Sequence, residues 1–309
     1  MSGDEATASG TRRRRFLRSA WSKDVPAGVV LGVESVPDGL AGGLLAGVNP
    51  VYGLYGYLFG TLFGAVATSS AFMAVQATGA MAVVVSDIDA VQGDSPEAAT
   101  ALFTLAVLTG VVMLVLGLAR MGWIVRWVPN AVLTGFINAV AVNIVLGQLD
   151  NFTGYAAEGS NRVTKALDTA TSLGEFVWPT VLVGCVTIGA IVLLERTRLG
   201  ALGMVVAIVV GSGLVELFGL DDVAQLSDIT DIPAALPRPT LPDVSLAVSL
   251  AIPALSLAFV GLVQGAAITS SVPNPDGTYP DASGDFRGQG VANIGSGLFS
   301  GMPVGGSMS

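Results

Sequence analysis

The chain has 309 residues, 52% hydrophobic and only 12% charged, with 40 glycines and a formal charge of −9 from 14 basic and 23 acidic residues. A mean hydropathy of +0.70 does not fit a soluble domain of this length; it fits a helical bundle in lipid whose helices approach through small residues. With no histidine, His-based zinc sites, His general bases and Ser-His-Asp triads are excluded, and the reading includes no cofactor, no enzymatic activity and no nucleic-acid partner.

Residues 1–24 read as a disordered, basic, cytoplasmic arm lying against the membrane. Its TRRRRFLR is similar to a twin-arginine export signal, but the next span is long, holds two acids and leads into many more, so cleavage is not expected. That first span, at about 25–47, places Glu34 and Asp38 one helical turn apart on either side of its centre. A bare charge there costs several kcal/mol, so such acids usually line a substrate or ion pathway and change protonation state.

Further apolar spans follow at about 51–68, 71–88, 98–118, 130–149, 175–194, 200–219, 244–270 and, shorter, 288–300, and another begins just before Ser309. The links among the first three are too tight for hairpins that each exit into water, and irregular backbone at membrane depth survives only where protein or a cavity covers it. If every span crosses and the N-terminus is cytoplasmic, Arg12 to Arg15, Arg18, Lys23, Arg120, Arg126, Arg196, Arg198 and Arg287 lie inside, with Arg162, Lys165 and Arg238 outside. The outward loops carry acids instead, among them Asp87, Asp94, Asp228, Asp231 and Asp243. The lone Cys185 lies inside a span, and Asp276, Asp281 and Asp285 read as solvated charges of an inner loop rather than a metal site.

The stretch VPDGLAGGLLAGVNPVYGLYGYLFGTLFG, Val36 to Gly64, resembles the signature of the SulP anion transporters, which include the animal SLC26 proteins. GFINAVAVNIVLGQL at 135–149 and DASGDFRGQGVANIGSGLFSGMPVGGSMS at 281–309 resemble the same family in the same order. The resemblance implies an all-α polytopic fold of fourteen segments in two inverted repeats of seven, split into core and gate domains. On that basis the transmembrane domain is 25–309, with a first repeat at about 25–219 and a partial second at about 244–309, and about ten segments are represented. The remaining helices and a STAS domain would follow Ser309 in a complete member, which makes the chain a fragment in this reading.

Half-length helices 3 and 10 would then face each other near the midplane, offering N–H groups and positive dipole ends to an anion. The implied substrate-binding residues are Ser69, Ser70, Ala71, Phe72 and Met73 for helix 3, Gly305, Gly306 and Ser307, continuing to Met308 and Ser309, for helix 10, and Gln264 in helix 8. Many members have an Arg where Ala71 stands, a Gly-Pro at Gln76-Ala77 and an acid at Gln264. The implied function is secondary active transport of sulfate or bicarbonate, coupled through Asp38 and Glu34 to a proton or, second, to sodium. A transport-dead anion sensor or scaffold and a nucleobase carrier are the alternatives. The implied setting is the plasma or inner membrane, with the lipid bilayer and possibly a second copy, as a homodimer, as partners.

Overall fold

The computed structural model describes residues 4–307 except positions 128, 160, 198, 200, 201, 226, 227, 229–231, 272 and 276, and describes no side chains at 4–23, 26, 125–127, 130, 133, 136, 137, 270 and 271. The side chains of Arg12 to Arg15, Arg18, Lys23 and Arg126, and the whole of Arg198, Asp231, Asp276, Met308 and Ser309, therefore lie outside the described residues.

In chain order the elements are α1 (Asp4–Leu45), α2 (Pro50–Ala67), β1 (Ala74–Gln76), α3 (Gly79–Ser86), α4 (Pro96–Leu118), α5 (Asn130–Gly147), α6 (Leu149–Thr153), α7 (Arg162–Thr171), α8 (Trp178–Glu195), α9 (Leu202–Phe218), α10 (Ala251–Ser271), α11 (Ala282–Leu298) and β2 (Gly305–Ser307). Local chemistry sets many of these ends. Asn49, Ser95 and Asp281 each accept a backbone N–H at the start of α2, α4 and α11, and Pro50 and Pro96 occupy first-turn positions where no N–H is needed. Among the described residues, four segments are long and apolar enough to cross a membrane: Ala27–Leu45, Pro96–Leu118, Trp178–Glu195 and Ala251–Thr269.

Two expectations need correction here. The basic arm is not irregular: α1 starts at Asp4 and runs unbroken for 42 residues, because the stretch before Pro26 contains no proline and is rich in Arg, Ala and Ser. At about 1.5 Å per residue that helix is roughly twice as long as the hydrocarbon core is thick. The last full span begins at Ala282 instead of 288, since Asp281 caps it and its polar residues Ser283, Asp285, Gln289 and Asn293 are buried against protein. The amphipathic α7, closed by a reciprocal Asn161–Thr164 capping box, lies between the spans read at 130–149 and 175–194.

The helices fall into two groups. In one, α11 packs against α4 and α2, α10 against α4, and α1 against α2, all enclosing α3 and the two strands. The α4–α11 crossing brings backbones together at two glycines: a Cβ on Gly110 would lie 2.6 Å from the Gly290 carbonyl oxygen, and one on Gly290 2.7 Å from the Leu114 nitrogen. The second group holds α5 to α9, with α8 against α9 and α6 and α5 against α7. Its apolar side chains, Leu182 and Leu193 on α8 and Leu217 and Phe218 on α9, are largely exposed, as lipid-facing residues are. One contact between the groups is made by Arg162 at the start of α7, whose guanidinium donates to the Asn143 carbonyl (3.3 Å) and side-chain oxygen (2.9 Å) on α5 and to Ser86 Oγ at the end of α3. A cation at that end complements the negative pole of the α3 dipole.

Candidate anion-binding site

β1 and β2 pair antiparallel, with Ala74 opposite Ser307, Val75 opposite Gly306 and Gln76 opposite Gly305. Two strands of three residues do not hold together in water. Here the surroundings hold them. Val75 and Val304 are fully buried and pack against Gly60 of α2, and the Met302 N–H donates to the Tyr52 carbonyl at 3.0 Å. Gly306 lies close against α10 and Met73: a Cβ there would lie 2.8 Å from Met73 Sδ, which would have to shift, and 3.5 Å from Gly265 Cα. A Cβ on Gly305 would lie 2.4 Å from Gln264 Oε1.

The half-helix does not begin at Ser69 to Met73. It begins at Gly79, where Thr78, in extended conformation, caps it by accepting the Met81 N–H at 3.3 Å. The donors of the lead-in are bound elsewhere in the chain. The buried Asp285 carboxylate accepts the Ser69 N–H (2.9 Å), the Ser69 hydroxyl (2.8 Å) and the Ser70 N–H (3.0 Å) on Oδ1, and the Ala71 N–H donates to Asn274 Oδ1 at 2.9 Å. Those N–H groups, which an anion would need, are therefore satisfied within the chain. Asp285, which reads as a solvated loop acid, is only 1% exposed. Phe72 is exposed at 48% and Met73 is buried beside Gly306.

Of the nine candidate substrate-binding residues, the fold gathers Met73, Gln264, Gly305, Gly306 and Ser307 at the strand pair, and sets Ser69, Ser70, Ala71 and Phe72 on its approach. Gln264 Nε2 donates to Thr78 Oγ1 at 3.1 Å, tying α10 to the α3 cap. Thr78 is missing from the sequence-derived set, although a threonine followed by Gly and the apolar run AMAVVV carries an N-cap signal. Gly79 and Ala80, the first two residues of α3, have N–H groups with no intrahelical acceptor.

Asp38 and Glu34 stand on α1, close to but outside this centre. Gly42, one turn beyond Asp38, packs on Ala77: a Cβ on Gly42 would meet Ala77 Cβ at 3.5 Å. Neither acid makes a hydrogen bond or ion pair among the described residues, and Glu195 at the end of α8 lies near enough to Glu34 for their charges to repel. Pro37, between them, has no N–H to donate to the Val33 carbonyl. A separate cavity of about 1020 Å³, lined by Arg120, Trp123, Tyr279, Ser283 and Arg287, reaches Thr269, whose hydroxyl donates to Asp285 Oδ2 at 2.9 Å.

Comparison with known proteins identifies the family and the fold. Residues 21–309 match the model of the sulfate permease family. The chain is 29% identical over 300 residues to a probable sulfate transporter 4.2 of Arabidopsis thaliana, covering 93% of this chain and 44% of that protein. It is 29% identical over 301 residues to a probable sulfate transporter of Mycobacterium tuberculosis, covering 96% and 53%. The chain thus spans about half the length of the curated relatives it matches. Its fold is similar to the transmembrane domain of a cyanobacterium bicarbonate transporter, with a TM-score of 0.78 at 24% identity over 94% of this chain and 75% of that one.

The Thr78 cap supplies a local prediction. Thr78→Val keeps the shape but removes both the cap and the Gln264 partner, a loss of about 1–2 kcal/mol. Hydrogen exchange at residues 80–83 in the detergent-solubilised protein is expected to speed up while α11 keeps its protection. Unchanged exchange at 80–83 would contradict the role given to Thr78.

Proposed function

The chain belongs to the sulfate permease family, and from that premise we propose that it is a secondary active transporter of a small inorganic anion, of the sulfate or bicarbonate class. The observation that carries the reading is the meeting of the β1–β2 pair with the N-terminus of α3. There an anion reaches the Gly79 and Ala80 N–H groups and the glycine backbone of 305–306, with the Gln264 amide and Ser307 hydroxyl as further polar partners. The α3 dipole presents roughly half a positive charge there. A site of backbone donors suits an anion that must also leave. Met73 walls the site, while Ser69, Ser70, Ala71 and Phe72 shape its approach, and Arg120 and Arg287 at the neighbouring cavity raise the local anion concentration.

Transport in this reading is movement of the α1–α4, α10 and α11 group against the α5–α9 group, carrying the site across the membrane. The N-terminus is cytoplasmic by the bias of basic residues, which puts the 89–97 and 220–243 loops outside. Asp38 carries a coupled proton, with Glu34 one turn away sharing it. The site is next to Ala77, which packs on Gly42, one turn along α1 from Asp38, so occupancy and protonation act on the same short stretch of structure.

Two experiments test this. In proteoliposomes, a proton gradient of one pH unit should support up to about tenfold accumulation of sulfate or bicarbonate for one coupled proton. Asp38→Asn should abolish uphill accumulation yet retain anion exchange. Full gradient-driven accumulation by Asp38→Asn would sink proton coupling at this residue, and accumulation driven only by sodium would replace it. For topology, Asp94→Cys in a Cys185→Ser background should react with an impermeant thiol reagent from outside; labelling from the cytoplasmic side alone would reverse the orientation.

A further inference from the structure

On α11 the polar residues Asp285, Gln289 and Asn293 recur every fourth position and so share one face, with Ser296 continuing it. All four are buried, at 1%, 0%, 0% and 0% exposure. Three of them bind backbone of the two segments that lead into the strands. Asp285 accepts the Ser69 and Ser70 N–H groups ahead of β1. Asn293 makes a two-point contact ahead of β2: Oδ1 accepts the Val304 N–H at 2.9 Å and Nδ2 donates to the Val304 carbonyl at 2.8 Å, while Nδ2 also donates to the Gln289 carbonyl at 2.9 Å. Ser296 Oγ donates to the Met302 carbonyl at 2.7 Å. A side-chain amide that both donates to and accepts from one residue does what a neighbouring strand does in an antiparallel ladder. Between the two grips, Gln289 places its amide in the notch left by Gly265: a Cβ there would lie 2.4 Å from Gln289 Nε2.

We propose that α11 is the template that sets the register and spacing of β1 and β2, with Asn293 and Asp285 as positioning residues for the anion site. They touch no substrate; they act through Val304 on Gly305 and Gly306, and through Ser69 and Ser70 on the chain entering β1. The proposal rests on the anion-transport reading for its functional consequence, not for its geometry. Displacements of about 1 Å at a binding centre are enough to cost on the order of a hundredfold in function. A single helix face that holds both strands therefore controls affinity without contributing a contact.

The test combines a geometric and a functional readout. In a Cys185→Ser background, Ala74→Cys with Ser307→Cys places two thiols on residues that face each other across the ladder, where opposite Cα atoms lie about 4.5–5.5 Å apart and a disulfide can form. The parent pair should cross-link efficiently. Asn293→Asp sets an oxygen against the Val304 and Gln289 carbonyls. It should cut the cross-linking yield severalfold and, in protein that keeps Ala74 and Ser307, raise the KM for sulfate in proteoliposomes about tenfold or more, with maximal flux per folded protein nearly unchanged. Asp285→Ala should shift both readouts the same way, and decides the matter alone if Asn293→Asp fails to reach the membrane. Asp285→Asn, which keeps an acceptor for Ser69 and Ser70, should restore both. Folded Asn293→Asp or Asp285→Ala protein that cross-links and transports like the parent would overturn the proposal. A parent that moves neither sulfate nor bicarbonate, while the variants still lose the cross-link, would refute the transport reading and leave the template standing.

Discussion

A backbone that stops being helical inside a bilayer has to find partners for its polar groups within the protein, because no water is there to supply them. The rest of this structure follows from how the chain meets that demand at 68–78 and 299–307. The two irregular stretches pair with each other as β1 and β2, and their flanks are taken up by side chains: Asp285 and Asn274 on one, Asn293 and Ser296 on the other. What remains after this accounting is the start of α3. Beyond the Met81 N–H that Thr78 caps, the Gly79 and Ala80 donors have no acceptor within the helix, and donors of that kind are what an anion needs.

The same demand explains the composition of α11. A helix carrying Ser283, Asp285, Gln289, Asn293 and Ser296 is too polar to face lipid, and its glycines let α4 approach closely enough to shut water out. Removing one member of such a buried network leaves its partner unsatisfied, a cost of about 1–3 kcal/mol per group and more where a carboxylate is involved. The outward faces of α8 and α9 need only be apolar, and they are.

The spans were legible where hydrophobicity runs unbroken, as in α4, α8 and α10, because lipid selects on that average alone. The family was legible from the Gly-rich stretch 36–64, whose spacing reflects tight α1–α2 packing. The site was only partly legible. The pairing of the two segments followed from the family resemblance, but the helix start was placed at Ser69 to Met73, since nothing local in SSAFM forbids a helix. The N–H groups of Ser69 and Ser70 instead bind Asp285, more than two hundred positions away in sequence and hidden in a stretch that scores as loop. Side chains acting across such separations leave no periodic signal, except that Asp285, Gln289 and Asn293 recur at the interval that puts them on one face. The basic arm shows the opposite limit: composition suggested disorder, whereas helix-forming residues without a proline before Pro26 carry α1 back to Asp4.

The central claim is that an anion binds where the strand pair meets α3. The most direct measurement is anomalous diffraction from crystals of the protein grown with selenate, a heavier analogue of sulfate. The account predicts a selenium peak within hydrogen-bond distance of the Gly79 and Ala80 nitrogens and beside Gly305, displaced by added sulfate. A peak confined to the Arg120–Arg287 cavity, with the α3 terminus empty at saturating selenate, would contradict it.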